Sequence, residues 1–232
     1  YRGNVYRAKT AYTETQLAEQ LYQQVRTGKA NICVNLDDEL DYEERLMSLK
    51  LAPEQRDAVK MALTQGLSVI TGGPGTGKTL IQKAILDIYR RQYPNAEICC
   101  GAPTGRAARR MEQSTGFTAS TVHKALGLVA DEDGNYGEPE IIEADLILVD
   151  EVSMLDIYLA GHLFGAIESG KRIVLIGDAD QLPSVGPGAV LSEIIASGCI
   201  PVVRLDKVFR QDSGSRIATN AKRIRHGNVS LE

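Results

Sequence analysis

The sequence has no tryptophan, three phenylalanines and an aromatic content of 5%. It has no apolar run near the roughly 18 residues that suggest a membrane span. Basic residues are not in excess, since 26 lysines and arginines stand against 30 aspartates and glutamates, for a net charge of -4. These absences argue against a membrane protein and against a protein that coats nucleic acid through bulk charge, but they leave room for a local basic groove.

Cysteine is scarce, and its spacing does not suit a metal site. The four residues are Cys33, Cys99, Cys100 and Cys199, and the three histidines complete no ligand set. We therefore expect buried, reduced thiols in a cytoplasmic protein. The first residues lack the pattern of a signal peptide. Because the chain starts at Tyr1 rather than methionine, we expect a piece of a longer protein.

The composition is otherwise that of a globular domain, with 43% hydrophobic and 24% charged residues. Residues 1–50 have a pattern of their own. A helix is predicted over 13–26, a short strand over 32–36 and a second helix over 41–50. So small a segment cannot bury a full core, and we interpret it as the C-terminal part of a preceding domain.

After Pro53 short apolar runs alternate with helical patterns. The apolar runs cover 67–71, 97–102, 146–150, 172–178 and 201–205. The helical patterns lie around 54–65, 78–92, 104–113, 155–168 and 187–197. Strands that are apolar on both faces and separated by helices indicate a parallel sheet covered on both sides, in a doubly wound α/β domain.

One stretch, 128–142, departs from this alternation. The turn residues Asp133-Gly134-Asn135 at its centre predict a β-hairpin. The stretch is also acidic, so a solvated loop is the alternative interpretation.

A glycine-rich segment matches the pattern G-x-x-x-x-G-K-[ST]. Its residues are Gly72, Gly73, Pro74, Gly75, Thr76, Gly77, Lys78 and Thr79. It follows a predicted strand and opens a predicted helix, so its backbone N–H groups and the helix N-terminus can face a phosphate. We expect Lys78 to reach the outer phosphates and Thr79 to hold magnesium.

Polar residues follow three other predicted strands. Asp150 and Glu151 follow 146–149, where we expect Asp150 to bind the metal and Glu151 to polarise the attacking water. Gln181 follows the next strand and suits a sensor of the γ-phosphate. Arg210 follows the last strand and could stabilise transition-state charge.

Several segments of the chain occur together in one known family. They are Glu54-Gln55, the glycine-rich loop 72–79, 102–108, 120–123, 150–154, the sequence GDADQLPSVGPG at 177–188, and 208–211. Together they resemble the first motor domain of superfamily 1 DNA helicases of the RecD type, which include the exodeoxyribonuclease V alpha subunit. The resemblance covers about residues 50–230 and implies a RecA-like P-loop NTPase, a three-layer α/β sandwich with a mainly parallel sheet, after a short N-terminal helical segment.

The resemblance also implies roles for individual residues. Gln55 would read the adenine, Gln181 would couple the γ-phosphate to DNA, and Arg210 would be an arginine finger. Thr104 and Arg106 would touch the backbone of a single strand, and His123 would lie near DNA. From spacing alone, Arg106, Arg109 and Arg110 form a local basic face, for which a solvated helix surface is the alternative.

The same resemblance implies an ATP- and Mg²⁺-dependent helicase that would move 5′-to-3′ on single-stranded DNA in recombination or repair. Subunits of a nuclease–helicase complex are candidate partners, and no membrane association is expected. Residues 51–212 would form the first motor domain and 213–232 the start of the link to a second one. We expect the chain alone to bind nucleotide weakly, to hydrolyse it slowly and to unwind nothing.

Three alternatives remain open on the sequence. The chain could belong to a P-loop ATPase or kinase that acts on a substrate other than DNA. It could be the helicase part of a conjugative relaxase. It could also be an interaction module whose P-loop is a structural relic, although an intact set of polar site residues argues against that.

Overall fold

The computed structural model describes residues 5, 7–27, 35–129 and 136–207. The helices are α1 Ala8–Thr27, α2 Leu36–Met47, α3 Pro53–Thr64, α4 Lys78–Gln92, α5 Gly105–Thr115, α6 Val122–Ala125, α7 Ile157–Gly165 and α8 Val190–Ser197. The strands are β1 Leu67–Gly72, β2 Ile98–Ala102, β3 Ala119–Thr121, β4 Leu146–Val149, β5 Arg172–Gly177 and β6 Val202–Leu205. A short 3-10 helix, Val152–Met154, follows β4.

The strands form one sheet in the order β3-β2-β4-β5-β1-β6, and every described pair is parallel. Thr71 pairs with Gly177, and Val149 pairs with Leu175. The carboxyl ends of β1, β5 and β4 therefore lie side by side at one edge of the sheet, where ligands bind in such folds. The prediction of a doubly wound parallel sheet is confirmed.

Each face of the sheet carries its own apolar core. Along β5, Ile173 and Leu175 enter one core while Val174 and Ile176 enter the other, because successive side chains of a strand point to opposite faces. The first core is covered by α1, α6, α7 and α8, and the second by α2, α3, α4 and α5. The predicted three-layer sandwich is therefore confirmed, and the helices that precede the sheet belong to its outer layers.

The start of α2 corrects the sequence interpretation. A strand was predicted over 32–36 and a helix only from 41, but the structure begins α2 at Leu36. The side chain of Asn35 caps it by accepting a hydrogen bond from the backbone N–H of Asp37, at 3.1 Å. Acidic residues in the first turn then favour the helix electrostatically. Residues 28–34 lie outside the described part of the chain.

Ion pairs join α2 to α3 and α4. Arg56 of α3 contacts Asp41 at 2.8 Å and Glu44 at 2.9 Å. Arg91 of α4 pairs with Glu43. Burial raises the pKa of Glu43 above its ordinary value, and the Arg91 guanidinium makes that rise smaller. The division of the chain at residue 50 stays a prediction, but both preceding helices pack on the domain that follows.

Strand β3 escaped the sequence analysis because it is a three-residue edge strand of half-buried side chains, without an apolar run. For the predicted hairpin at 128–142, residues 130–135 lie outside the described chain, so that part stays a prediction. The flanks are anchored: Leu128 and Ile142 are buried, and the N–H of Ile142 donates to the Ala166 carbonyl at 2.8 Å.

The cysteines only partly follow the expectation of buried thiols. Cys100 is buried, and burial, helped by the neighbouring Cys99, raises the pKa of its thiol to about 12. Cys199 contradicts the expectation, because it is exposed just after α8, where Gly198 ends the helix in a left-handed conformation. Cys33 lies outside the described residues.

Candidate active site

The glycine-rich loop turns tightly between β1 and α4. Gly75 and Gly77 adopt φ of 80° and 88°, which favour glycine. A Cβ on Gly77 would also clash with the side-chain nitrogen of Gln55. The buried Thr76 hydroxyl donates to the Gly73 carbonyl at 2.9 Å and closes the turn. The loop is therefore held in one conformation by its own residues and by α3.

Lys78 is the first residue of α4, and its ammonium group bends back over the loop. It donates to the carbonyls of Gly72 at 2.5 Å and Gly73 at 3.1 Å. Thr79 follows at the helix start and is exposed. A cation over a glycine turn, a helix N-terminus and an exposed hydroxyl are the donor set that a nucleoside polyphosphate with a divalent cation requires. The loop, Lys78 and Thr79 therefore fit a nucleoside polyphosphate with its divalent cation.

Gln55 lies against this loop rather than free in solvent. Its Oε1 accepts from the backbone N–H of Ala52 at 2.9 Å, and its Nε2 donates to the Thr76 carbonyl at 3.0 Å. Ala52 has no side-chain acceptor, so Gln55 caps the start of α3 in its place. The amide keeps one further N–H and one further lone pair. Its assignment as an adenine reader stays a prediction.

Two carboxylates follow β4 at the same edge. Asp150 accepts a hydrogen bond from the backbone N–H of Glu151 at 2.8 Å. Glu151 adopts a left-handed backbone with φ of 53°. Such a conformation costs a residue other than glycine on the order of 1 kcal/mol, and it is found most often at functional sites, where the surrounding structure holds it in place. Burial and the charge of Asp150 raise the pKa of Glu151, whereas Lys78 and Arg110 oppose that rise. The structure thus brings the two predicted carboxylates and Lys78 together.

The segment after β5 joins this edge. The Thr71 hydroxyl oxygen accepts from the Ala179 N–H at 3.0 Å, which ties the end of β5 to β1. The buried Asp178 accepts through Oδ1 from the Asp180 N–H at 3.0 Å and through its carbonyl from the Gln181 N–H. Asp178 was not singled out from the sequence, yet it shapes the turn that presents Gln181.

Gln181 itself is exposed and lines a cleft of about 1000 Å³. Thr104 and His123 line the same cleft, so three predicted residues from separate segments meet there. Thr104 also caps α5, accepting from the Ala107 N–H at 3.3 Å. The ring of His123 lies 5.1 Å from that of Tyr136, a residue that the sequence analysis did not assign.

The remaining predicted residues lie elsewhere. Arg106 is exposed in the first turn of α5, outside the cleft lining. Arg109 and Arg110 are exposed on the same helix, as a basic face requires. Arg210 lies outside the described residues, so its role as an arginine finger stays a prediction.

Comparison with known proteins agrees with this geometry. A family model described as an AAA domain matches residues 50–232. The chain belongs to this AAA domain family. The chain is 35% identical to the ATP-dependent RecD2 DNA helicase of Deinococcus radiodurans over 227 residues, which cover 98% of this chain and 31% of that protein. The predicted resemblance to RecD-type proteins is confirmed.

Two further relatives extend the comparison of this AAA domain chain. It is 36% identical over 200 residues to the RecBCD enzyme subunit RecD of Mycolicibacterium smegmatis, with 76% of this chain and 36% of that one covered. Its fold is similar to that of the Pif1 helicase from Candida albicans, with a TM-score of 0.57, 25% identity, and coverage of 78% of this chain and 45% of that one. The chain spans about a third of the length of the two curated relatives. Among the residues that the structure describes, no helix is both long and apolar enough to cross a membrane.

Proposed function

We propose that this chain is the first motor domain of an ATP-dependent DNA helicase that couples ATP hydrolysis to 5′-to-3′ movement on single-stranded DNA. The observation that carries the proposal is the position of the segment after β5. Its residue Ala179 is bonded to Thr71 at the end of β1, directly before the phosphate loop, and Gln181 lines the cleft that holds Thr104 and His123. One short segment therefore touches both the nucleotide edge and the candidate DNA surface.

At the nucleotide edge each residue has one task. Bound ATP with Mg²⁺ would supply the phosphoanhydride bond that is hydrolysed and a cation that neutralises its charge. The backbone of the loop from Gly72 to Thr79 and the side chain of Lys78 would hold the phosphates. Thr79 and Asp150 would hold the magnesium ion. Glu151 would orient the attacking water and take its proton.

Other assignments belong to the same proposal. Gln55 would contact the adenine with its remaining donor and acceptor, and Arg210 would act as an arginine finger. Thr104 and Arg106 would contact the strand backbone, and His123 would lie near DNA. The relatives named as a DNA helicase and as a RecBCD enzyme subunit support DNA as the partner and a multi-subunit enzyme as a setting. Single-stranded DNA, a nuclease–helicase complex, a cytoplasmic location and a part in recombination or repair complete the proposal.

The deciding experiment measures ATP turnover by the full-length protein with and without single-stranded DNA, beside a Glu151→Gln variant. We expect strong stimulation by the single strand, lost in the variant. Turnover indifferent to DNA would favour a P-loop ATPase or kinase that acts on another substrate. Nucleotide binding that is lost on Lys78→Ala would exclude a structural relic.

The isolated chain provides a second test. We expect it to bind nucleotide weakly, to hydrolyse it slowly and to unwind nothing, because a motor of this class binds ATP between two such domains. Robust unwinding by the isolated chain would contradict this proposal.

A further inference from the structure

One wall of the cleft that holds Gln181 is formed by residues that come before the proposed motor domain in the sequence. This wall is one face of α1, and its residues line the cleft together with Thr104 and His123. They are Lys9, Tyr12, Thr13, Gln16 and Gln20. Counted from Lys9, the other four lie three, four, seven and eleven positions further on, so they form a single stripe along the helix. One face of α1 therefore lines the cleft over several helical turns.

Close packing holds α1 in this position. A Cβ on Gly161 of α7 would lie 2.9 Å from the Thr13 methyl, so the two helices approach closely at a glycine. The buried Gln24 amide donates to the carbonyls of Ile167 at 3.2 Å and Glu168 at 3.1 Å. Such contacts fix α1 as part of the domain, although its sequence lies before it.

The cleft surface has the chemistry of a platform for flat rings. Tyr12 is 66% exposed on the α1 side, and Tyr136 is exposed beside His123. Leu182, which is 87% exposed, and Val185, which is fully exposed, line the same cleft. Apolar side chains that gather in one cleft, instead of being scattered singly, mark a binding surface.

A cation lies at the end of the same wall. The ammonium of Lys9 lies 5.4 Å from the centre of the Tyr158 ring, at the rim of the cleft. Aromatic rings beside a positive charge suit single-stranded nucleic acid, whose bases stack and whose backbone is anionic. The chain is acidic overall, with a net charge of -4, so this positive charge is a local feature.

We propose that α1 is the outer wall of the single-strand path, where the Tyr12 ring stacks on a nucleobase and Lys9 contacts the backbone. The inference rests on the proposed function, because the occupant is the same single strand. It adds a contact surface from the segment before the motor domain, which makes that segment part of DNA binding.

The test uses the full-length protein and two labelled oligonucleotides of equal length, a thymidine strand and an abasic strand. Tyr12→Ala is expected to weaken binding of the thymidine strand about fivefold or more in fluorescence anisotropy, while binding of the abasic strand changes little. Tyr12→Phe should restore binding. Tyr22→Ala is the matched control, since Tyr22 is 57% exposed on the same helix but does not line the cleft.

Lys9→Gln gives an independent readout. It should weaken both oligonucleotides alike and reduce the dependence of affinity on salt by about one phosphate contact. Unchanged binding of the thymidine strand by Tyr12→Ala, in a protein that binds it when wild type, would overturn the role of α1 and leave the proposed function intact. A wild-type protein that binds neither strand would instead overturn the proposed function.

Discussion

The nucleotide edge and the cleft lie on two sides of the same segment after β5, and they are built in opposite ways. The nucleotide edge comes mainly from one contiguous loop, in which Lys78 bonds to carbonyls only five and six residues away. The cleft comes from distant parts of the chain, since Tyr12, Thr104 and Gln181 line it together. A local site can be recognised by its spacing, whereas an assembled cleft depends on how helices pack.

The difference also concerns rigidity. The phosphate loop is fixed by left-handed glycines and by Gln55. The cleft depends on the seating of α1 on α7, where Gly161 leaves room for Thr13. We therefore expect substitutions in the phosphate loop to weaken nucleotide binding and substitutions in the cleft to weaken DNA binding.

The largest effect is expected at the nucleotide edge. Lys78→Met removes the cation over the phosphate loop, and ATP turnover should fall about 100-fold or more. Lys83→Met on the same helix is the matched control, because Lys83 makes a partly exposed ion pair with Asp87 one turn further along α4, and such a pair is worth little. Steady-state turnover of the full-length protein with single-stranded DNA measures both. Equal turnover in the two variants would contradict the site.

A smaller effect is expected where α1 meets α7. Gly161→Val places a branched side chain against Thr13, and overpacking should lower the free energy of unfolding by about 1–3 kcal/mol. Valine is a better helix former than glycine, but the gain in helix propensity is smaller than this loss. DNA affinity should fall while nucleotide affinity is kept. Gly137→Val is the control, since nothing lies within 4 Å of that position. Urea unfolding and anisotropy give the two readouts, and a parallel loss of nucleotide binding would contradict the separation of the regions.

Gln55 tests whether the phosphate loop is supported from α3 or only reads the base. Gln55→Ala leaves the Ala52 N–H without its acceptor and the Thr76 carbonyl without its donor, so stability should fall by about 1–2 kcal/mol. If Gln55 also reads adenine, affinity for ATP should fall more than affinity for GTP. Equal losses would leave only the support of the loop, and the exposed Gln65 at the end of α3 provides a matched control.

The smallest effect concerns pH and the cleft. Burial lowers the pKa of His162, with Lys9 and His123 adding to the shift and Asp156 opposing it. A histidine with a lowered pKa binds its proton more weakly in the folded state. Stability should therefore decline as pH falls through the ordinary value near 6.5 and on toward the lowered one.

Urea midpoints measured by circular dichroism above and below about pH 6.5 test this direction. His162→Gln should reduce the decline, and Lys9→Gln should reduce it less, because Lys9 acts on His162 only through its charge. A decline that is the same in all three proteins would assign the pH dependence to other groups.

Much of the fold could be predicted because its pattern is local. The strands around Val69, Ile147 and Val174 are apolar on both faces, which a covered parallel sheet requires. Edge strand β3 was missed because three half-buried residues carry no such pattern. The sequence analysis begins the second helix only at residue 41, whereas Asn35 caps α2 so that it begins at Leu36.

The sequence by itself determined the parallel sheet and the phosphate loop, together with the positions of Asp150, Glu151 and Gln181 after their strands. The sheet follows from the alternation of apolar runs with helical patterns. The phosphate loop and the residues after each strand follow from residue spacing, because neighbours in the chain must be neighbours in space. Tertiary structure decided that Gln55 supports the phosphate loop and that α1 lines the cleft. Such contacts join residues far apart in the chain, and only the packing of helices on the sheet brings them together.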